Sequence, residues 1–490
     1  MIGFKCIGCN YNTELFEILL IYFDRHSVAT VGDHTPFEQY ETGLLAETTD
    51  SGLRLALCKM GTPVAEVVLD QSVQVDNTPA QSMFTDPFKN AVKRTAAALL
   101  TKETGYTSPW GIQTGVKPVK LATQCLAEGM SPQEGADFLG AELNIRADKC
   151  NTLFRVAANE SAILKSTPTN SFSLYVGTPF CPTICSYCSF GAYPIGRYET
   201  WVDRYVDAVV AEARATAEVL IKAGLTCDCC YFGGGTPTSV TAAQLDRIMS
   251  GVLEAFPSFT ELTCEAGRPD SIDAEKLEVL RRHGVHRLAI NPQTMKGETL
   301  AKIGRRHTPE DTIRVYELAR NMGFDNINMD LIAGLEGETE EDFAETLRQI
   351  RQLNPQGFTV HSLCLKRASA MMRGENRHST DHSVMDRMVN MGYETAAAIG
   401  MEPYYLYRQK NAAGNLENTG FARPGYFCRY NVLIEEETQH ILGLGAGSVT
   451  KRVVGPGDLE RCFNIKDPLQ YIAGIDGQIT KKIDFLSNMY

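Results

Sequence analysis

The sequence predicts an α/β protein with six consecutive strand–turn–helix units at its centre, and three observations carry that prediction. From about residue 170, short β-type runs alternate with helical segments over about 195 residues. Residues 1–165 read differently, as an N-terminal α+β accessory region with strand-like runs that give way to helices. From about 376 to 490 the chain is mixed and rich in turns, which fits a small C-terminal domain after a core over 166–375. Six alternating units imply a parallel sheet, either an open barrel or a doubly wound sheet. In both, ligands sit at the carboxyl ends of the strands.

The N-terminal region opens with strand candidates at Leu53–Leu57 and Val64–Val68. Phe88–Leu100, Leu121–Leu126 and Glu134–Leu143 carry apolar residues at helical spacing, with Ser131 and Pro132 as a start signal. In the core the strands are expected at Ser171–Val176, Cys229–Phe232, Glu261–Glu265, Arg287–Ile290, Ile327–Ile332 and Phe358–Leu363. Between them, Thr241 with Gln244 and Thr339 with Asp342 have capping-box spacing, and Thr308 precedes a proline at the first helical position. The last stretch carries Gly414–Asn418, Pro424–Gly425, Gly443–Gly447 and Gly455–Gly457 as turns.

Composition narrows the function. The 490 residues are 43% hydrophobic, enough to bury a large core, and carry a net charge of −12. An acidic chain lacks the basic footprint that phosphate contacts require, so no nucleic-acid partner is expected. The first residues carry no signal-peptide pattern, and Leu15–Phe23 is too short to span a bilayer; a cytoplasmic protein without a membrane span is the expectation. Fifteen cysteines without a secretion signal read as buried apolar residues, metal ligands or reactive thiols, not disulfides. Cys6 and Cys9 form a CxxC without a second pair, and Cys227, Cys229 and Cys230 precede or lie within the second core strand.

The chemistry-bearing residues follow the strand ends. After the first strand come Cys181, Cys185 and Cys188, spaced x3 and x2 on one tight loop. Three thiolates on such a loop suit a [4Fe–4S] cluster with one iron left open, since a fully ligated cluster takes four. A zinc site is the alternative, but residues 189–200 offer no fourth Cys, His or Asp ligand. The second strand ends in Gly233-Gly234-Gly235-Thr236, where glycines let the backbone approach a ligand. Glu265 ends the third strand and Asp330 lies inside the fifth; a carboxylate in an apolar strand needs a partner. Gln293 follows the fourth strand, Arg305 comes twelve residues later, and Cys364 follows the sixth. An arginine there is suited to bidentate capture of a carboxylate.

These phrases, with Gly304-Arg305-Arg306-His307 and Met329-Asp-Leu-Ile-Ala-Gly-Leu335, resemble the oxygen-independent coproporphyrinogen III oxidase family of radical S-adenosylmethionine enzymes, and most of all its HemZ branch. The resemblance runs from about Leu53 to the end and is densest from Tyr175 to Lys366. It implies an open (β/α)6 partial TIM barrel. It further implies a [4Fe–4S] cluster on Cys181, Cys185 and Cys188, and S-adenosylmethionine touching Tyr175, Gly234, Gly235, Thr236 and Glu265. Tyr187, Gln293, Arg305, Asp330 and Cys364 match positions that contact a second S-adenosylmethionine. The implied reaction is oxidative decarboxylation of two propionates of coproporphyrinogen III to vinyl groups, started by a 5′-deoxyadenosyl radical and fed by a low-potential donor of flavodoxin or ferredoxin type. Lys366, Arg367, Arg408 and Lys410 are candidates for holding the anionic tetrapyrrole.

The chain departs from the family's oxidase at Ser189-Phe190, where a further cysteine would stand two residues past the third ligand. The related haem chaperones also lack that cysteine. However, they begin near the cluster strand, and their His-Asn segment reads Tyr430-Asn431 here. A haem-transfer protein is therefore the alternative function, with a radical enzyme acting on another tetrapyrrole as a third reading. A zinc-stabilised binding protein is the reading from a different class.

Overall fold

The computed structural model describes residues 1–32, 35–70, 86–364, 381–410, 412–455 and 457–487. It divides into two compact units. The first comprises Met1–Ala157, Ser379–Arg387 and Leu406–Asn418, and the second Ala158–His378, Met388–Tyr405 and Thr419–Tyr490.

In the first unit, β1 (Ile2–Ile7), β2 (Val28–Thr30), β3 (Thr42–Thr49), β4 (Gly52–Lys59) and β5 (Thr62–Leu69) form a sheet in the order β2-β1-β3-β4-β5. Leu53, Leu55 and Leu57 of β4 are buried, whereas Val64, Val67 and Val68 of β5 are exposed, so β5 is a solvent-facing edge. Helix Pro132–Leu143 starts at the Ser131 capping box, with Glu134 closing it. Glu417 is buried in this unit and accepts from Trp110 Nε1 at 2.6 Å and Lys149 Nζ at 2.7 Å.

The second unit holds β6 (Ser171–Thr178), the short pair β7 (Phe180–Cys181) and β8 (Tyr193–Pro194), β9 (Thr226–Gly234), β10 (Glu261–Gly267), β11 (Arg287–Ile290), β12 (Asn326–Ala333), β13 (Gly357–Ser362), β16 (His440–Leu444), β17 (Val449–Gly455) and β18 (Asp458–Phe463), while β14 (Glu402–Arg408) and β15 (Glu417–Ala422) each have residues in both units. The six expected strands are all present, as β6 and β9–β13, and pair in parallel in the order β13-β12-β11-β10-β9-β6. Their helices begin at the expected starts at Thr241, Thr308 and Thr339, and Thr308 also forms a capping box with Asp311. The apolar stripes of those helices, such as Phe343, Leu347 and Ile350, are buried.

The sheet stays open, as the resemblance implies, and grows at both edges. β15 adds antiparallel to β13, and β16 adds parallel to β6, followed by antiparallel β17 and β18. A buried network secures the β16 edge. Glu212 takes Lys482 at 2.5 Å and the Gly445 amide at 2.8 Å. Tyr205 donates to Gly177 O at 2.6 Å and accepts from Ala446 N at 3.0 Å, which ties the loop after β16 to the end of β6.

Candidate active site

Each core strand is buried along most of its length, and five of them carry a half-buried side chain toward the carboxyl end: Tyr175 on β6, Tyr231 on β9, Glu265 on β10, Asp330 on β12 and His361 on β13. Tyr175 and Tyr231 are register partners. A side chain on Gly233 would meet the rings of Tyr231 and Tyr175 and Glu265 Oε2 at 2.7–3.1 Å, so these three face one space. The β10 register is irregular between Cys264 and Gly267, and this bulge re-aims Glu265.

The cysteine loop leaves β6 and folds over the end of β9. Gly235 N donates to Thr178 O at 2.6 Å, and Thr236 N to Phe180 O at 2.8 Å. Gly234 has φ +110°, and a Cβ there would lie 2.8 Å from Thr178 O. On Gly235 a Cβ would lie 2.6 Å from Phe180 O and 3.0 Å from Cys181 Sγ. The glycine run is thus demanded by close backbone packing under the thiols as well as by any ligand. Cys181 and Cys185 are buried and Cys188 is half-buried. Thr236 Oγ1 lies 3.3 Å from Cys181 Sγ. Burial pushes the Cys181 thiol up to about 11, and burial also raises Cys188, so these thiols favour ionisation only when a metal takes the charge. Among the described residues no three His, Cys, Asp or Glu side chains converge on a point that one metal ion could occupy. Thiols that each take a different iron of a cluster need no such point.

The far side of the loop is held by Gly304-Arg305. Thr183 Oγ1 donates to Gly304 O at 2.6 Å and Ser186 N to Ile303 O at 3.0 Å. Tyr187 packs on Leu300, Ile303, Ile332, Leu335 and Leu363, and its hydroxyl accepts from Arg305 Nη2 at 3.2 Å. Arg305 is buried, donates through Nη1 to Asn291 O, and leaves its Nε without a partner. Asn291 bridges the site: its Nδ2 reaches Glu265 Oε1 at 3.5 Å and its Oδ1 takes the Asp330 amide at 3.3 Å.

Gln293 lies in the left-handed region at φ +68°, held by Gln293 N to Asp330 O and Ile332 N to Gln293 O, both 2.9 Å. Its buried Oε1 has no partner. A strained backbone and a buried unpaired amide oxygen together mark a side chain kept for a ligand.

The two carboxylates differ. Burial, then the charge of Asp330, pushes Glu265 up to about 8. Burial also opposes ionisation of Asp330, yet His361 (3.9 Å), Thr359 and Asn328 (2.8 Å) outweigh it and hold Asp330 below the usual range. A carboxyl near 8 beside an ionised one suits a cationic ligand, which would draw the proton off.

The structure therefore brings Tyr175, Cys181, Cys185, Tyr187, Cys188, Gly234, Gly235, Thr236, Glu265, Gln293, Arg305 and Asp330 to the carboxyl ends of neighbouring strands in one unit. Cys364 falls just after β13 in the same unit. Lys366 and Arg367 lie outside the described residues. Arg408 does not stand where a pocket-mouth cation should. It belongs to the first unit, is 3% exposed, sits over Trp110 at 5.3 Å, and donates to Gln113 O and to Asn415 O at 2.8 Å. Lys410 is exposed on that same unit. Residues the sequence reading passes over are Tyr231, Asn291, His361 and Arg268. A polar residue in an apolar strand, the signal that singles out Asp330, also applies to His361.

The donor set fits a site-differentiated cluster with a cationic cofactor beside it: three thiols on one loop, a raised carboxyl, and unpaired Gln293 Oε1 and Arg305 Nε.

Residues 175–350 match the family model described as the Radical SAM superfamily. The chain is 38% identical over 409 residues to the oxygen-independent coproporphyrinogen-III oxidase-like protein HemZ of Bacillus subtilis, covering 82% of each. It is 31% identical over 282 residues to the heme chaperone HemW of the same organism, covering 56% of this chain and 70% of that one. Among solved structures, coproporphyrinogen III oxidase (HemN) from Escherichia coli, a radical SAM enzyme, matches with a TM-score of 0.52 at 25% identity, over 66% of this chain and 73% of that chain. Among the described residues no helix is long and apolar enough to cross a membrane.

Proposed function

We propose a function from one premise, that the chain belongs to the radical SAM superfamily and, within it, to the oxygen-independent coproporphyrinogen-III oxidase-like family. In this reading it decarboxylates propionate side chains of coproporphyrinogen III to vinyl groups without oxygen, giving protoporphyrinogen IX. The observation that carries the reading is the set of Cys181, Cys185, Cys188, Glu265, Gln293 and Arg305 at adjacent strand ends, with a raised carboxyl and two unpaired buried polar atoms among them.

When bound, a [4Fe–4S] cluster and S-adenosylmethionine together supply hydrogen-atom abstraction at the propionate β-carbon. The three cysteines would hold three irons and leave the fourth for the cofactor. The crowded turn at Gly233–Gly235 keeps side chains out of that space. Glu265 would take the cofactor's ammonium, giving up its proton as it does so. Gln293 and Arg305 would orient a carboxylate, either of a second S-adenosylmethionine or of the tetrapyrrole. The stacked rings of Tyr175, Tyr231 and Tyr430, 4.6–6.1 Å apart, provide a flat apolar wall. A low-potential flavodoxin or ferredoxin would feed the cluster.

The chaperone reading has its own support in the 31% match to a heme chaperone. Against it, burial holds the Tyr430 phenol well above its ordinary range, so it is a poor anionic ligand for haem iron.

The test is anaerobic. The reconstituted protein receives S-adenosylmethionine, a low-potential reductant and coproporphyrinogen III, and mass detection follows 5′-deoxyadenosine and protoporphyrin. Both products are expected. 5′-Deoxyadenosine without protoporphyrin would replace the substrate. Neither product, with an intact cluster and bound haem, would favour the chaperone.

A further inference from the structure

We propose that Arg268 is a positioning residue that sets the reduction potential of the cluster by turning its guanidinium toward Cys185; the inference rests on the cluster reading above. Arg268 follows β10 and is 3% exposed. Its Nε and Nη2 grip Asp270 in a bidentate pair at 2.9 and 2.7 Å. That grip aims Nη1 at the cysteine loop, where it donates to Thr183 O at 2.9 Å and Thr183 Oγ1 at 2.6 Å, with Cys185 Sγ at 3.9 Å. Behind the pair stands His307, whose Nδ1 is 3.7 Å from Asp270 Oδ1.

The arrangement is more than a loop brace. Thr183 is already tied to the chain by its bond to Gly304 O at 2.6 Å, and Ser186 by its bond to Ile303 O at 3.0 Å. Arg268 adds a permanent cation on the side of one thiolate ligand, and both the guanidinium-bearing side chain and Cys185 are buried. Reduction adds one electron to an already anionic cluster, so a cation and an N–H directed at a ligand sulfur favour the reduced state and raise the potential. Asp270 opposes this, because it places a negative charge on the other side of the same guanidinium. The two residues should therefore act with opposite sign. Arg305 and Glu265 also act on the cysteine loop and stay unchanged in the comparison.

The experiment uses the full chain with an anaerobically reconstituted cluster. Iron and sulfide per chain are measured first, then the reduced-cluster paramagnetic signal is followed against applied potential in viologen mediators. Arg268→Gln is expected to disfavour reduction about tenfold, a shift of about 59 mV to more negative potential for one electron. Asp270→Asn is expected to shift the potential the other way, and Arg268→Lys to recover part of the loss. Unchanged potentials at full cluster content, or shifts of the same sign in both variants, would overturn the proposal. If Arg268→Gln cannot hold a cluster, Asp270→Asn decides alone: a positive shift supports the tuning role and no shift rejects it. A wild-type chain that binds no cluster removes both the proposal and the reading beneath it.

Discussion

Replacing Glu265 by glutamine should change how the cofactor-free protein responds to pH, and the sign follows from the structure. Burial and Asp330 push this carboxyl from 4.5 up to about 8. Between those values the unfolded chain has lost the proton and the folded chain keeps it, so stability falls as pH rises. Below 4.5 both states are protonated and the group costs nothing; above 8 both are ionised and the full cost is present. At 1.36 kcal/mol per tenfold the shift corresponds to about 5 kcal/mol. Glu265 keeps some contact with solvent, and about 3 kcal/mol is expected to survive that screening. Glu265→Gln removes the titration and keeps the shape. The variant should match wild type near pH 5 and exceed it by about 3 kcal/mol at pH 8.5. Denaturant unfolding of the second unit, under anaerobic reducing conditions, measures the difference. The same variant should bind S-adenosylmethionine at least tenfold more weakly, because the cation loses its carboxylate. Parallel stability curves for the two proteins from pH 5 to 8.5 would refute the reasoning, since they would mean that Glu265 ionises normally in the fold.

Gly235→Ala places a methyl 2.6 Å from Phe180 O and 3.0 Å from Cys181 Sγ, so the loop must move; iron per chain after reconstitution should fall severalfold while circular dichroism stays unchanged. Gln293→Gly relieves the left-handed backbone that Gln293→Ala retains, so the glycine variant should be the more stable of the two by about 1 kcal/mol in denaturant unfolding, and both should weaken cofactor binding. Arg408→Ala strips a buried cation from its carbonyl partners and from Trp110; it should destabilise the first unit by roughly 2–4 kcal/mol, read from its unfolding midpoint, and leave iron content unchanged.

The central fold was legible in the chain because the core strands are buried along most of their length and read as short β-type runs, while three of the connecting helices announce their start at Thr241, Thr308 and Thr339. Arg287–Ile290 has the same ends in the structure as in the sequence reading. The cysteine spacing and the glycine run were legible for the same reason: local backbone geometry needs those residue types wherever they stand. The edges were not. The run His440–Leu444 appears in a turn-rich stretch, and nothing local says that it pairs with Phe172–Val176, 268 residues earlier.

What the sequence determined by itself is the parallel core and the order in which reactive residues meet its strand ends, since both follow from short-range pattern. What only the tertiary structure decided is which charges face each other. Arg268 acts on Cys185 across 83 residues, Asn291 joins Glu265 to Asp330, and Arg408 is spent on the backbone of the first unit. Electrostatic partnership depends on distance and burial, and in this chain both are set by contacts between strands and loops far apart in sequence.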